Sequence, residues 1–216
     1  MMKNSIAVVG VVLLSAGAAS ADLVMHLNNS YTGSTPAASA PWLTASFSQT
    51  GTDSVRLTLT SNVTGWEVIS TVFFNVADGQ SVAATFNETL SSGSFQTPTA
   101  GTGLFAAGGG SVYDMRILFP INQPANRFGA GDVAVFDLTG EGLTESDFNF
   151  LSGGALSNLA AAHVQAIGPN RNGSGWIADG GGGGGVVVPL PPAAWAGLIG
   201  LAGAAGLSWS RRRAYR

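Results

Sequence analysis

Cysteine is absent from the 216-residue chain. That excludes a disulfide scaffold, a zinc–thiolate site, an iron–sulfur cluster and a cysteine nucleophile. Charge is scarce too, at 10% of residues, and 31 glycines accompany it, which excludes a coiled coil or long-helix protein. Histidine occurs only at His26 and His163, with no H-x-x-x-H or H-E-x-x-H spacing, so no histidine zinc site is expected. Nine basic residues and a net charge of −3 argue against a nucleic-acid partner. Lysine is missing from Asp22 to Asp179, where four arginines face all twelve acidic residues, a formal net of −8. A charge of that sign favours solubility and disfavours anionic partners.

The composition divides the chain into segments. Residues 1–21 read as a secretory signal: Lys3 in a short charged start, an apolar run from Ile6 to about Ala18, then Ala19-Ser20-Ala21. The small residues Ala19 and Ala21 flank the expected cleavage position, and Asp22 becomes the new N-terminus.

Residues 22–179 read as an all-β extracytoplasmic domain. Val55, Leu57 and Leu59 alternate with Arg56, Thr58 and Thr60, as on a strand with one wet face, and Leu43, Ala45 and Phe47 repeat the pattern. Trp66 to Val76 is richly β-branched and aromatic, as expected of a central strand covered on both faces. Further strands are expected at 23–27, 81–90, 113–119, 132–138, 162–167 and 174–178. About nine short strands with turn-rich connections indicate a β-sandwich, jelly-roll-like in type. Thr144-x-x-Asp147 is spaced to cap one short helical turn, and Ala155 to Ala162 is a second candidate turn.

Residues 180–187 begin with an unbroken glycine run, Gly180 to Gly185, and form the expected linker. Residues 188–216 carry Val188-Pro189-Leu190-Pro191-Pro192, then a charge-free run from Ala193 to Ser210, then Arg211, Arg212 and Arg213. Eighteen helical residues would be about 27 Å long, close to the thickness of a hydrocarbon core. The arginines predict a cytoplasmic end and place the domain outside, the orientation the N-terminal signal also predicts.

The order of glycine linker, Pro-x-Pro motif, short apolar helix and arginine cluster resembles the PEP-CTERM sorting signal, in its VPLPA-type variant. Pro192 stands where that variant carries alanine, and no Glu lies between the prolines. The resemblance implies a Gram-negative host and an exosortase-like membrane enzyme as partner. The chain would be transiently anchored in the inner membrane by its C-terminal helix. Cleavage near the proline motif and delivery to the cell surface or extracellular matrix would follow. The body more loosely resembles PEP-CTERM-bearing surface proteins without assigned activity, through Pro41-Trp42-Leu43-Thr44, Asn126-Arg127-Phe128-Gly129, Phe148-Asn149-Phe150-Leu151, Ala162-His163-Val164-Gln165 and Gly173-Ser174-Gly175-Trp176-Ile177.

Catalytic chemistry finds little footing. There is no G-x-S-x-G elbow, and Gly173-Ser174-Gly175 is expected to be a turn. Gly101 to Gly110 lacks the lysine of a phosphate loop and is expected to be a flexible loop. His163 sits in an apolar run and is expected to be structural, bonded to backbone. Asp132, Asp137, Glu141, Glu145 and Asp147 are candidate Ca²⁺ ligands by residue type, although the D-x-[DN]-x-[DN]-G pattern is absent and the expectation is no cofactor. Trp42, Trp66 and Trp176 are expected in the core. If exposed, Trp42 and Trp176 would stack on sugar rings.

The expected function is therefore a non-enzymatic exported surface or matrix protein. A carbohydrate-binding module associated with exopolysaccharide is the alternative, and a secreted hydrolase the second.

Overall fold

The structure is a computed structural model and describes residues 22–180 and 186–188. The expected signal segment, with Ala19 and Ala21, lies outside the described residues. So do the expected membrane helix, Pro189 to Pro192 and the arginine cluster. Among the described residues no helix is long and apolar enough to cross a membrane.

Among the described residues thirteen strands form: β1 Asp22–Leu27, β2 Asn29–Gly33, β3 Leu43–Gly51, β4 Ser54–Ser61, β5 Val68–Phe74, β6 Ala83–Phe86, β7 Thr99–Ala106, β8 Ser111–Leu118, β9 Val133–Thr139, β10 Gly153–Gly154, β11 Ala160–Ile167, β12 Gly173–Ala178 and β13 Val186–Val188. They make two antiparallel sheets. The first has the order β13-β1-β3-β4-β9-β6, and the second β10-β8-β5-β11-β12-β2, with β7 also on β8. The expected all-β sandwich is the observed architecture.

Side-chain alternation builds the core between the sheets. Leu23, Met25 and Leu27 of β1, Leu43, Ala45 and Phe47 of β3, and Val55, Leu57 and Leu59 of β4 all point inward. The second sheet answers with Ile69, Val72 and Phe74 of β5 and Ala160, Ala162 and Val164 of β11. Aromatic rings join the layers: Phe47 stacks on Phe148 at 4.3 Å and meets Phe74 edge-on at 5.2 Å. Phe119 stacks on Phe128 at 4.2 Å, and Phe95 packs edge-on against both. Phe148 closes the expected turn, a 3₁₀ helix over Glu145–Phe148. Its cap is made as the spacing predicts, Asp147 Oδ2 accepting from Thr144 N at 2.8 Å.

Several expectations are corrected. Gly101 to Gly110 is not a loop: β7 pairs with β8 over Thr99–Ala106, and Gly108–Gly110 is a 3₁₀ turn. Gly173-Ser174-Gly175 lies inside β12, not in a turn. Glycine is required at position 175 because the backbone of Ser34 lies where its Cβ would be. Ala155 to Ala162 forms no helical turn, and β11 begins at Ala160. The 180–187 linker ends early, since Val186 and Val187 pair with β1. The central strand starts only at Val68, which leaves Trp66 outside it and 58% exposed.

Candidate functional site

Neither tryptophan named for sugar stacking offers a free ring. Trp42 is buried, and its Nε1 donates to the Ala38 carbonyl at 2.6 Å. Strand alternation turns Trp176 away from the main core, onto the outer face of the second sheet beside Phe73 and Ala161. It stacks on His163 at 4.7 Å and lies 5.7 Å from Phe73. The backbone at Gly108 closes over it, so close that a Cβ there would lie 2.5 Å from Trp176 Cδ1. Trp66 is the exposed tryptophan of the body, and the Arg171 guanidinium sits 3.6 Å over its ring.

His163 departs from the expected backbone bond. Its Nδ1 meets Ser70 Oγ at 3.1 Å, while Ser70 Oγ also donates to the His163 carbonyl at 3.2 Å. Burial holds the imidazole below its ordinary pKa, so it stays neutral. Ser70 is itself buried, with its hydroxyl committed within the sheet, so the pair fastens β5 to β11.

The five carboxylates considered as Ca²⁺ ligands do not converge. Asp132 Oδ2 accepts from Gly129 N at 2.8 Å, closing the turn into β9. Asp137 pairs with Arg56 at 2.9 Å and accepts from Asn87 Nδ2 at 2.6 Å. Burial opposes its charge, but these bonds and the Arg56 cation outweigh it and hold its carboxyl below the usual range. Asp147 is spent on the cap. Among the described residues no three acidic or histidine side chains form a metal-binding group.

The geometry instead assembles a surface groove from the segment after β5, the paired strands β7 and β8, and the segment before β10, which lie far apart in sequence. Two adjoining cavities of about 250 and 300 Å³ share Val76, Asp78, Leu104 and Asp114. Phe150 and Leu151 line the second. Leu104 is 83% exposed, Phe150 46% and Leu151 48%, so large apolar side chains stand in solvent beside two carboxylates. Asp114 Oδ2 accepts from Val76 N at 3.2 Å, which fixes that carboxylate on the groove wall. Glu141 lies with Asp78 in a third hollow alongside. An aromatic ring and apolar walls with carboxylate acceptors match a ligand that has an apolar face and several hydroxyl donors. Sequence reasoning missed this groove. Asp78, Leu104 and Asp114 carry no motif, and only Phe150 and Leu151 fall within a stretch that carries the resemblance.

Comparison with known proteins gives no significant match: no protein-family model, no curated protein and no solved structure matches the chain.

Proposed function

We propose that the protein is an exported, non-enzymatic surface or extracellular-matrix component. It is delivered through its N-terminal signal and released or attached by an exosortase-like enzyme acting near Val188 to Pro192. The observation that carries this reading is the order of segments in the chain. The folded sandwich occupies residues 22–179, the stretch between a signal-type start and a glycine–proline–apolar–arginine tail. The repeated crossing of the chain between its two sheets supports the jelly-roll-like form of the sandwich. Intact mass and terminal-peptide mapping of protein recovered from the producing cell's surface and medium test it. Ends at Asp22 and between Val188 and Pro192 are expected. Recovered protein still ending at Arg216 overturns it.

One observation favours a second reading, carbohydrate binding, at a different place from the tryptophans. The groove sets the exposed Phe150 ring near Asp78 and Asp114, an aromatic surface with hydroxyl acceptors. Glycan-array binding lost in Phe150→Ala and Asp114→Asn, and retained in Trp42→Phe, is expected on this reading. A flat array with the parent protein removes it.

A further inference from the structure

The sandwich proper closes at Asp179, whose Oδ1 accepts from Leu159 N at 2.9 Å and Ala160 N at 3.2 Å. Six glycines follow, and then β13 lies antiparallel on the outer edge of β1. The register pairs Asp22 with Val188, Leu23 with Val187 and Val24 with Val186. A three-residue strand tethered through glycine thus covers the edge of the first sheet.

Such a cover is weakly held. For three residues the net gain of a few backbone hydrogen bonds is of the same size as the entropy lost in fixing their backbone, so little holds the cover in place. When it detaches, β1 presents a row of unpaired N–H and C=O groups, a template for another extended segment. The segment that fits it in sequence and register is the same valine strand of a second copy.

We propose that the outer edge of β1 is a self-association site that takes Val186–Val188 of a second copy in the register it uses for its own. Reciprocal exchange closes into a two-fold dimer. A short glycine tether gives the copy's own strand an effective concentration in the millimolar range, so exchange needs crowded protein. This inference does not depend on the export reading.

The absence of cysteine makes the test direct. Directly opposed antiparallel residues have Cα atoms about 4.5–5.5 Å apart, within disulfide reach. Full-length chains carrying Val24→Cys alone and Val186→Cys alone are mixed in detergent and oxidised, from low micromolar to near-millimolar concentration. A covalent dimer linking position 24 of one chain to position 186 of the other is expected, with a yield rising at least tenfold over that range. The doubly substituted chain should form its link internally at low concentration. Removing glycines 181–185 from the doubly substituted chain should convert that internal link into dimers. Three residue steps from Ala178 would then reach only about 11 Å. Ala178 is held beside Asn28, and the four strand positions from Asn28 back to Val24 span about 13 Å. Absence of the mixed dimer at every concentration, while the doubly substituted chain closes internally, overturns the proposal. So does a failure of the doubly substituted chain to close at all. Dimers joined only between like positions also overturn it.

Discussion

Replacing Gly108 with alanine asks whether Trp176 is a packed wall or a mobile ring open to ligands. The added Cβ would lie 2.5 Å from Trp176 Cδ1, 2.6 Å from Cγ and 2.7 Å from Nε1, closer than real Cβ contacts come. The indole cannot simply retreat. His163 stacks on it at 4.7 Å and Phe73 lies at 5.7 Å, and His163 is tied to Ser70. Overpacking of this kind costs about 1–3 kcal/mol. For a domain of this size each kcal/mol lowers Tm by about 2–4 °C, so a fall of about 4–8 °C is expected at the middle of that range. Urea unfolding gives the energy, and the Trp176 indole N–H resonance reports the displaced ring. Gly101→Ala is the control, because nothing lies within 4 Å of its Cβ position. That variant should stay within about 0.5 kcal/mol of the parent. A Gly108→Ala protein equally close to the parent, with an unmoved indole resonance, would refute the claim that Trp176 is closed off. It would also restore that ring as a stacking candidate.

Glu67 is buried, and its two carboxylate oxygens accept from Ala37 N at 2.8 Å and Thr64 N at 3.3 Å. Glu67→Ala strands two donors and should cost about 2–4 kcal/mol in urea unfolding, while Glu67→Gln, which keeps one acceptor, should cost about half that. His163 makes stability fall on the acid side: its folded pKa is depressed by burial, so protonation favours the unfolded chain as pH drops from its ordinary value near 6.5 to the lowered one. Its neighbours Ser70, Gln165 and Trp176 bring no charge to it. Asp132 and Asp179, raised mainly by burial, act oppositely and gain stability as pH falls toward the usual carboxylate range. The difference between His163→Gln and the parent isolates the imidazole, and it should shrink in the variant's favour from pH 7.5 to pH 5. A difference that does not change with pH would refute the assignment.

The sequence made the sandwich legible wherever alternation was strong. β1, β3 and β4 bury alternate apolar residues, β9 and β11 turn alternate ones into the core (Ala134, Phe136 and Leu138; Ala160, Ala162 and Val164), and the expected strands fall on all five within a few positions. The Thr144–Asp147 cap was legible for a different reason, since a fixed spacing encodes it. β7 was not, because its glycines and threonines expose most of the strand and bury no stripe. β2, Asn-Ser-Tyr-Thr-Gly, is polar for the same reason: it is an edge strand with little to cover. The tryptophans misled because burial depends on what crosses above a ring. A glycine turn from residues 108–110 covers Trp176, and no local pattern at Trp176 announces it. The groove was illegible because its walls come from two loops and the β7–β8 pair, which meet only in the folded chain.

The way this fold treats its sheet edges ties these observations together. β6 has four residues, β10 two, and β2 five, mostly polar, so those edges are short or poor templates for pairing. β1 is different: six residues, firmly packed through Leu23, Met25 and Leu27, with a regular outer edge. It is covered over Asp22 to Val24 by the valines that immediately precede Pro189. Proline has no N–H to give a ladder, so the sequence itself ends the covering strand at Val188. Cleavage at or beyond Pro189 therefore leaves a chain that still carries its own cover and can lend it to a neighbour. Cleavage before Val186 leaves an acceptor edge with no donor strand. On the proposed processing, the same few residues would link tail cleavage to self-association, and a mature C-terminus mapped to either side of Val186–Val188 would decide which chains can exchange strands.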